Sequence, residues 1–264
     1  MEHDMKRRFH SVPRRGFVLS VFLPMLALVT GAAAAPVHMG NFASDSEALP
    51  DPWQLVQFDQ RVPATRYRAL SWDGRAAVEA AANASMALLA RPLTIDLQAT
   101  PVLCWMWRVE GMLQKADLRQ KTGDDYAARV YVTFSLPPQA LDLGLRMKLA
   151  LGRSLYGASV PDAAVNYVWD NKHPVGTRAF NAYTDRAAMV VQRSGKEQVG
   201  RWVSERANVL ADATKAFGPL PFKASQLAVA SDTDNTGEQV RAGFAELHFV
   251  GADEPCQFSG GAAP

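Results

Sequence analysis

Cysteine is scarce in this chain: Cys104 and Cys256 are the only two in 264 residues. That count excludes a zinc site made of cysteines. Histidine is nearly as rare. Beyond the amino-terminal segment only His38, His173 and His248 remain, and no Gly-x-Ser-x-Gly elbow accompanies them, so a hydrolase triad has no footing. Long charge runs, internal repeats and low-complexity tracts are also missing. Long hydrophobic runs are limited to one, at the very start.

That run is Phe17 to Ala35, "FVLSVFLPMLALVTGAAAA", preceded by Lys6, Arg7, Arg8, Arg14 and Arg15. A basic start, an apolar middle and an Ala-x-Ala exit describe an export signal. A transmembrane anchor fits less well, because the run is short and closes in alanines. Pro36 is a poor first residue for a peptidase product, so cleavage is expected after Ala34, leaving 230 residues. "RRGFVL" also resembles a twin-arginine signal, although Pro13 stands where Ser or Thr is usual.

Removing the signal changes the charge. It takes five basic and two acidic residues from totals of 28 and 26, leaving 23 and 24, net −1. The mature chain therefore carries no signature of a nucleic-acid partner, nor of a membrane partner once the signal is cut. A periplasmic or secreted location is expected. At this length one large domain is the default. The expected organisation is a signal over 1–34, a polar lead-in over 35–65, the folded domain over 66–252 and a flexible tail over 253–264. An exported protein can join its two cysteines. Cys104 lies in an apolar strand and Cys256 in a Gly-rich tail, so two free thiols are the plain alternative.

From Arg66 onward the pattern is short runs rich in Val, Tyr, Trp and Phe, bounded by Gly, Asp, Asn and Pro. "YRALSWDG" ends in a turn at Asp73-Gly74. "AAVEAAANASMALLARPLTIDL" holds two strands, and "PVLCWMWRVEG", "YAARVYVTF", "AAVNYVWDN", "AAMVVQRSG", "GRWVSERANVL", "SQLAVASD" and "VRAGFAELHFVG" hold one each. "LDLGLRMKLALGRSLYG", Leu141 to Gly157, lacks any β-branched residue and is predicted as a helix. The absence of a βαβ rhythm makes the expected fold mainly β: an antiparallel, jelly-roll-like β-sandwich with one inserted helix.

The "W-x-W" strand, the acidic turn into an Arg/Tyr strand and the closing "GFAELHFVG" resemble jelly-roll carbohydrate-binding modules. A closer likeness is carried by "WMWRVEG", "KTGDDYAARVYVTF", "VNYVWDN", "GRWVSERANVLAD" and "SDTDNTGEQVRAGFAELHF". As a set, these are similar to the bacterial exported family called domain of unknown function 3047. That resemblance implies no established activity.

Strand alternation sorts the side chains. Val130, Val132 and Phe134 share one face, with Asp125, Arg129, Tyr131 and Thr133 on the other. Trp105, Trp107 and Val109 are opposite Met106 and Arg108, while Glu205 shares a face with Val203. Ala245, Leu247 and Phe249 are expected opposite Phe244, Glu246 and His248. The tryptophans 105, 107, 169 and 202 are expected in the core. The polar set Asp125, Arg129, Tyr131, Glu205 and Glu246 is either a solvated sheet face or a binding face for a hydroxyl-rich ligand. Asp124 and Asp125 are adjacent and face opposite ways, so a glycosidase pair needs Asp125 with Glu205 or Glu246.

"SDTDNTGEQ" places Asp232, Asp234, Thr236 and Gly237 in the first slots of a calcium loop. The twelfth slot is Gly243, which has no carboxylate, so an EF-hand is excluded. A hairpin turn accounts for the Asp, Asn and Gly content. A simpler calcium site on Asp232 and Asp234 is the alternative, and no other cofactor is expected. These features favour an exported sandwich that binds a glycan or another polar envelope ligand. Its rivals are a polysaccharide hydrolase using the carboxylates and a structural envelope-assembly partner.

Mass spectrometry of protein recovered from outside the cytoplasm should find a chain starting within a residue or two of Ala35. An intact Met1 there would overturn the export reading.

Overall fold

The computed structural model describes Met1 and residues 35–40, 42, 49–157 and 160–259. The expected signal over 1–34 lies, apart from Met1, outside the described residues, as do the last five residues of the expected tail. The described strands all belong to one compact unit, Ala33–Pro264.

In chain order the strands are β1 Val37–His38, β2 Gln54–Val56, β3 Arg66–Trp72, β4 Arg75–Asn83, β5 Leu88–Pro92, β6 Val102–Val109 and β7 Tyr126–Ser135. Helix α1 (Leu143–Tyr156) follows, then β8 Ala163–Asp170, β9 Arg178–Asn181, β10 Thr184–Ser194 and β11 Val203–Asn208. Helix α2 (Val209–Phe217), β12 Lys223–Asp232 and β13 Gln239–Val250 complete the set. One sheet runs β11-β6-β13-β4-β3, with β1 also paired to β13. The other runs β2-β5-β12-β7-β8-β10-β9. The expected two-sheet, mainly β architecture is what the chain adopts.

Pairing is antiparallel except between β8 and β10. The chain leaves β8, forms β9 at the sheet edge, and returns as β10 into the gap between them. The segment 35–65 is more than a lead-in. It supplies β1 to one sheet and β2 to the other, and it buries Phe42 against Trp53.

Alternation builds the core between the sheets. Trp105 and Trp107 of β6 meet edge-on, with centroids 5.4 Å apart. They continue across the gap to Tyr167 and Trp169 of β8 at 5.3 and 5.7 Å. Val130, Val132 and Phe134 of β7 pack into the same core. Such aromatic contacts add to the apolar area they remove from water. Trp202 is only half-buried and sits elsewhere, on the outer face of the β6 sheet against Trp72. There Gly243 has no room for a side chain: a Cβ would stand 2.8 Å from the Trp202 ring.

Strand β13 departs from simple alternation. Its register with β6 shifts between Ala245 and His248, and Glu246 takes φ +54°. This bulge adds one residue to the strand. Phe244, Leu247 and Phe249 therefore all point into the core, while Ala245 packs outside with Met106. The expected grouping of Ala245 with Leu247 and Phe249 is corrected accordingly.

The predicted helix forms as α1, capped by Asp142, whose carboxylate accepts the Leu145 N–H at 2.8 Å. A second helix was not expected. "GRWVSERANVL" splits at Asn208, whose side chain accepts the Ala211 N–H at 2.9 Å and starts α2. Asn followed by "VLADATKA" is the local signal for that start. Among the described residues no helix is long and apolar enough to cross a membrane.

Candidate functional site

The polar residues singled out by sequence fall into three places. Asp125, Arg129 and Tyr131 gather with Asp232 and Asp234 at one end of the β7–β12 pair. Glu205 lies at the β11 edge of the other sheet. Glu246 lies on β13, beside a cleft.

The first group is internal. Arg129 is 4% exposed. Its guanidinium pairs with Asp232 Oδ2, lies 3.7 Å from Asp124 Oδ1, and stacks over the Tyr126 and Tyr131 rings at 4.5 and 5.2 Å. Asp232 Oδ1 accepts the Tyr126 N–H at 3.2 Å. Asp125 caps the next turn, accepting the backbone N–H groups of Asn235 and Thr236 at 3.2 and 2.7 Å and the Asn235 side chain at 3.1 Å. Burial pushes the Asp232 carboxyl well above the usual range; Arg129 pulls it down, and Asp125, Asp124 and Asp234 push it up again. Asp234 is raised by burial and by Asp125. The gap beside Asp125, Tyr126, Trp169 and Asp170 has a free volume of about 0 Å³.

Glu205 is also enclosed, on the core side of β11. It accepts the Trp107 indole N–H at 3.1 Å, Arg193 Nε at 2.8 Å and Gln192 Nε2 at 3.2 Å. Arg193 and Gln192 come from β10, so Glu205 ties the β11 edge of one sheet to the other sheet. Burial raises its pKa despite these donors.

The cleft has an open volume of about 570 Å³. Its walls include His38, Asp73, Arg75, Glu246, Gln257 and Ser259. Asp73 and Gly74, both at positive φ, make the two-residue turn from β3 to β4. That turn sets Asp73 at the rim and Arg75 inside. Arg75 pairs with Glu246 and donates to the Ser259 carbonyl at 2.9 Å, while Glu246 Oε2 accepts the Ser259 N–H at 2.5 Å. The tail is thus a wall of the cleft, and the Cys104–Cys256 disulfide anchors it. Two free thiols, the plain expectation, are not what the chain has.

His248 backs this wall. Gln257 N–H donates to its Nε2 at 3.0 Å, so Nδ1 carries the proton and donates to the Glu246 carbonyl at 2.7 Å. Burial lowers its pKa, which keeps the ring neutral. With both nitrogens engaged, His248 is a support for the wall and not a proton-transfer group.

Beyond the Asp73 rim the outer face continues as an aromatic and charged strip. Arg108 pairs with Asp73 and lies 5.1 Å over the Trp72 ring, and Arg241 lies over the same ring at 5.0 Å. Arg241 and Arg68 both bind Glu79, at 2.6 and 3.2 Å. Sequence reasoning did not single out Trp72, Asp73, Arg75 or Arg241. The alternation of "RYRALSW" and the Asp-Gly turn carried that signal, since they put Arg68 and Trp72 on one face and aim Arg75 beside the turn.

A two-sheet β-sandwich with an open polar cleft on one outer face, and buried ion clusters elsewhere, is the class of protein these features define. The chain belongs to the family described as protein of unknown function (DUF3047), whose model matches residues 51–248. No curated protein matches it.

Because Arg129 is a buried ion-pair partner, Arg129→Ala should destabilise the fold by about 3–5 kcal/mol, the usual cost of leaving a buried charge unpaired. Chemical denaturation of the purified variant measures this. A loss below about 1 kcal/mol, the range of exposed pairs, would contradict the internal placement.

Proposed function

We propose that this is an exported sandwich that binds a hydroxyl-rich, glycan-type ligand of the cell envelope along the outer face of the β6–β13 sheet. The observation that carries the reading is the 570 Å³ cleft with Asp73, Arg75 and Glu246 on its walls. Carboxylate and guanidinium groups held by each other and by backbone can still accept and donate to sugar hydroxyls. Arg108 and Arg241, held over the Trp72 ring next to the rim, add further donors. Glu246 sits at a strained left-handed position, and strain of this kind collects at functional sites. The disulfide suits the oxidising compartment that the amino-terminal signal implies.

Arg129 and Glu205 leave the binding set in this reading, because their hydrogen-bonding capacity is used inside the protein. Glu246 stays, joined by Asp73 and Arg75.

The mature protein should bind members of a glycan array, and Arg75→Ala should weaken that binding by about 1–3 kcal/mol, with circular dichroism showing that the variant still folds. Binding that Arg75→Ala leaves intact would move the site elsewhere. No binding to any glycan would remove the ligand class.

A further inference from the structure

We infer that the turn after β12 is a calcium site built from Asp125, Asp232 and Asp234, with Asp124 beside them. One oxygen from each of Asp125, Asp232 and Asp234 lies within 4.8 Å of the others. That is the spacing of oxygens that share one ion of calcium's size, whose bonds to oxygen are about 2.3–2.6 Å. The three come from two segments: Asp125 directly precedes β7, Asp232 ends β12 and Asp234 lies in the turn after it.

The hydrogen bonds around the cluster leave acceptor capacity unused. A carboxylate offers about four lone-pair sites. Asp232 accepts two hydrogen bonds and Asp125 three. Asp124 adds an oxygen whose contact with the Arg129 guanidinium, at 3.7 Å, is an ion pair and not a hydrogen bond. The Asp124 side chain is 9% exposed, one oxygen accepts from Asn181 at 2.7 Å, and Oδ1 accepts no hydrogen bond from a described residue. That oxygen faces the cluster, 3.7 Å from the Arg129 nitrogen whose twin holds Asp232. Asp234 Oδ1 and the Thr236 hydroxyl are likewise buried with no hydrogen-bond partner among the described residues, and the hydroxyl, on a residue 9% exposed, is the independent sign of a missing partner.

Charge points the same way. Four carboxylates meet the guanidinium of Arg129 and the ammonium of Lys115, which lies 3.3 Å from the Thr236 carbonyl. Two cations do not balance four anions in so enclosed a place, and burial makes the excess costly. A divalent ion removes it. Gly237, at φ +68°, makes the sharp turn that the sixth position of such a loop requires. The carboxylate missing from the twelfth position is replaced here by Asp125, from across the sheet. Oxygen-only ligands favour calcium over softer metals.

Calcium chloride is the probe, added to chelator-stripped mature protein. At a concentration 100 times the dissociation constant the melting temperature should rise by roughly 5–10 °C. Terbium should bind as a luminescent substitute and be displaced by calcium. Asp234→Asn and, separately, Asp124→Asn should weaken calcium binding ten-fold or more, while far-UV circular dichroism shows that both variants fold. Asp234 is half-buried and its Oδ1 is unbonded, so its amide is accommodated without loss of a described contact. Identical melting with chelator and with millimolar calcium would overturn the inference. So would a calcium shift that both variants retain in full. Neither outcome touches the cleft, which lies on the other sheet.

Discussion

The bulge at Glu246 is the constraint on which both the core and the cleft depend. Strand β13 sits in the middle of its sheet, between β6 and β4, and cannot bend freely. One extra residue in it lets Phe244, Leu247 and Phe249 all reach the core. The same residue turns Glu246 outward against Arg75 and places His248 behind the tail. Without it, strict alternation would carry either Phe244 or the Leu247–Phe249 pair to the outer face. The core would lose large apolar side chains, each worth roughly 1.5–3 kcal/mol when fully buried. Burial thus holds a left-handed glutamate that its own backbone preference opposes.

Polar groups elsewhere act as fasteners. Glu205 joins β11 to β10 at the open edge of the sandwich, with Trp107 as a third partner. Arg129 and its aspartates close the far end of β7 and β12. Isolated charges in such places would be strongly unfavourable; Glu205 is matched by donors from β6 and β10, and Arg129 by Asp232 of β12. The disulfide performs a similar task for the tail, tying residue 256 to β6 across a separation of 152 residues.

Much of this was legible in the residues. The Trp105–Trp107 and Val130–Phe134 faces follow from period, and helix α1 from propensity and its stop signals, against a period-two alternation. Asp73-Gly74 identifies its own turn. Arg129 and Tyr131 do share a face, while a register shift between Tyr126 and Arg129 breaks the alternation toward Asp125; and alternation cannot tell an outer face open to water from one covered by loops. Here Leu118 and Phe58 cover it. The bulge was invisible for a related reason: nothing in "AGFAELHF" marks which residue is the extra one, and glutamate is an unusual choice for positive φ. Helix α2 was hidden because Val209 and Leu210, directly after Asn208, read as the end of the β11 strand. The parallel placement of β10 depends on β9 folding back around it, which is a tertiary fact.

Comparing two variants at one position tests the bulge most directly. Glu246→Gly and Glu246→Val remove the same carboxylate and its contacts, and differ only in backbone preference. In a regular strand Val is the more stable by up to about 1 kcal/mol. In the left-handed bulge the order reverses, and Gly should exceed Val by about 1–2 kcal/mol in equilibrium denaturation. A valine variant as stable as the glycine variant, or more so, would show that β13 runs without the bulge, and would contradict the link drawn here between core and cleft.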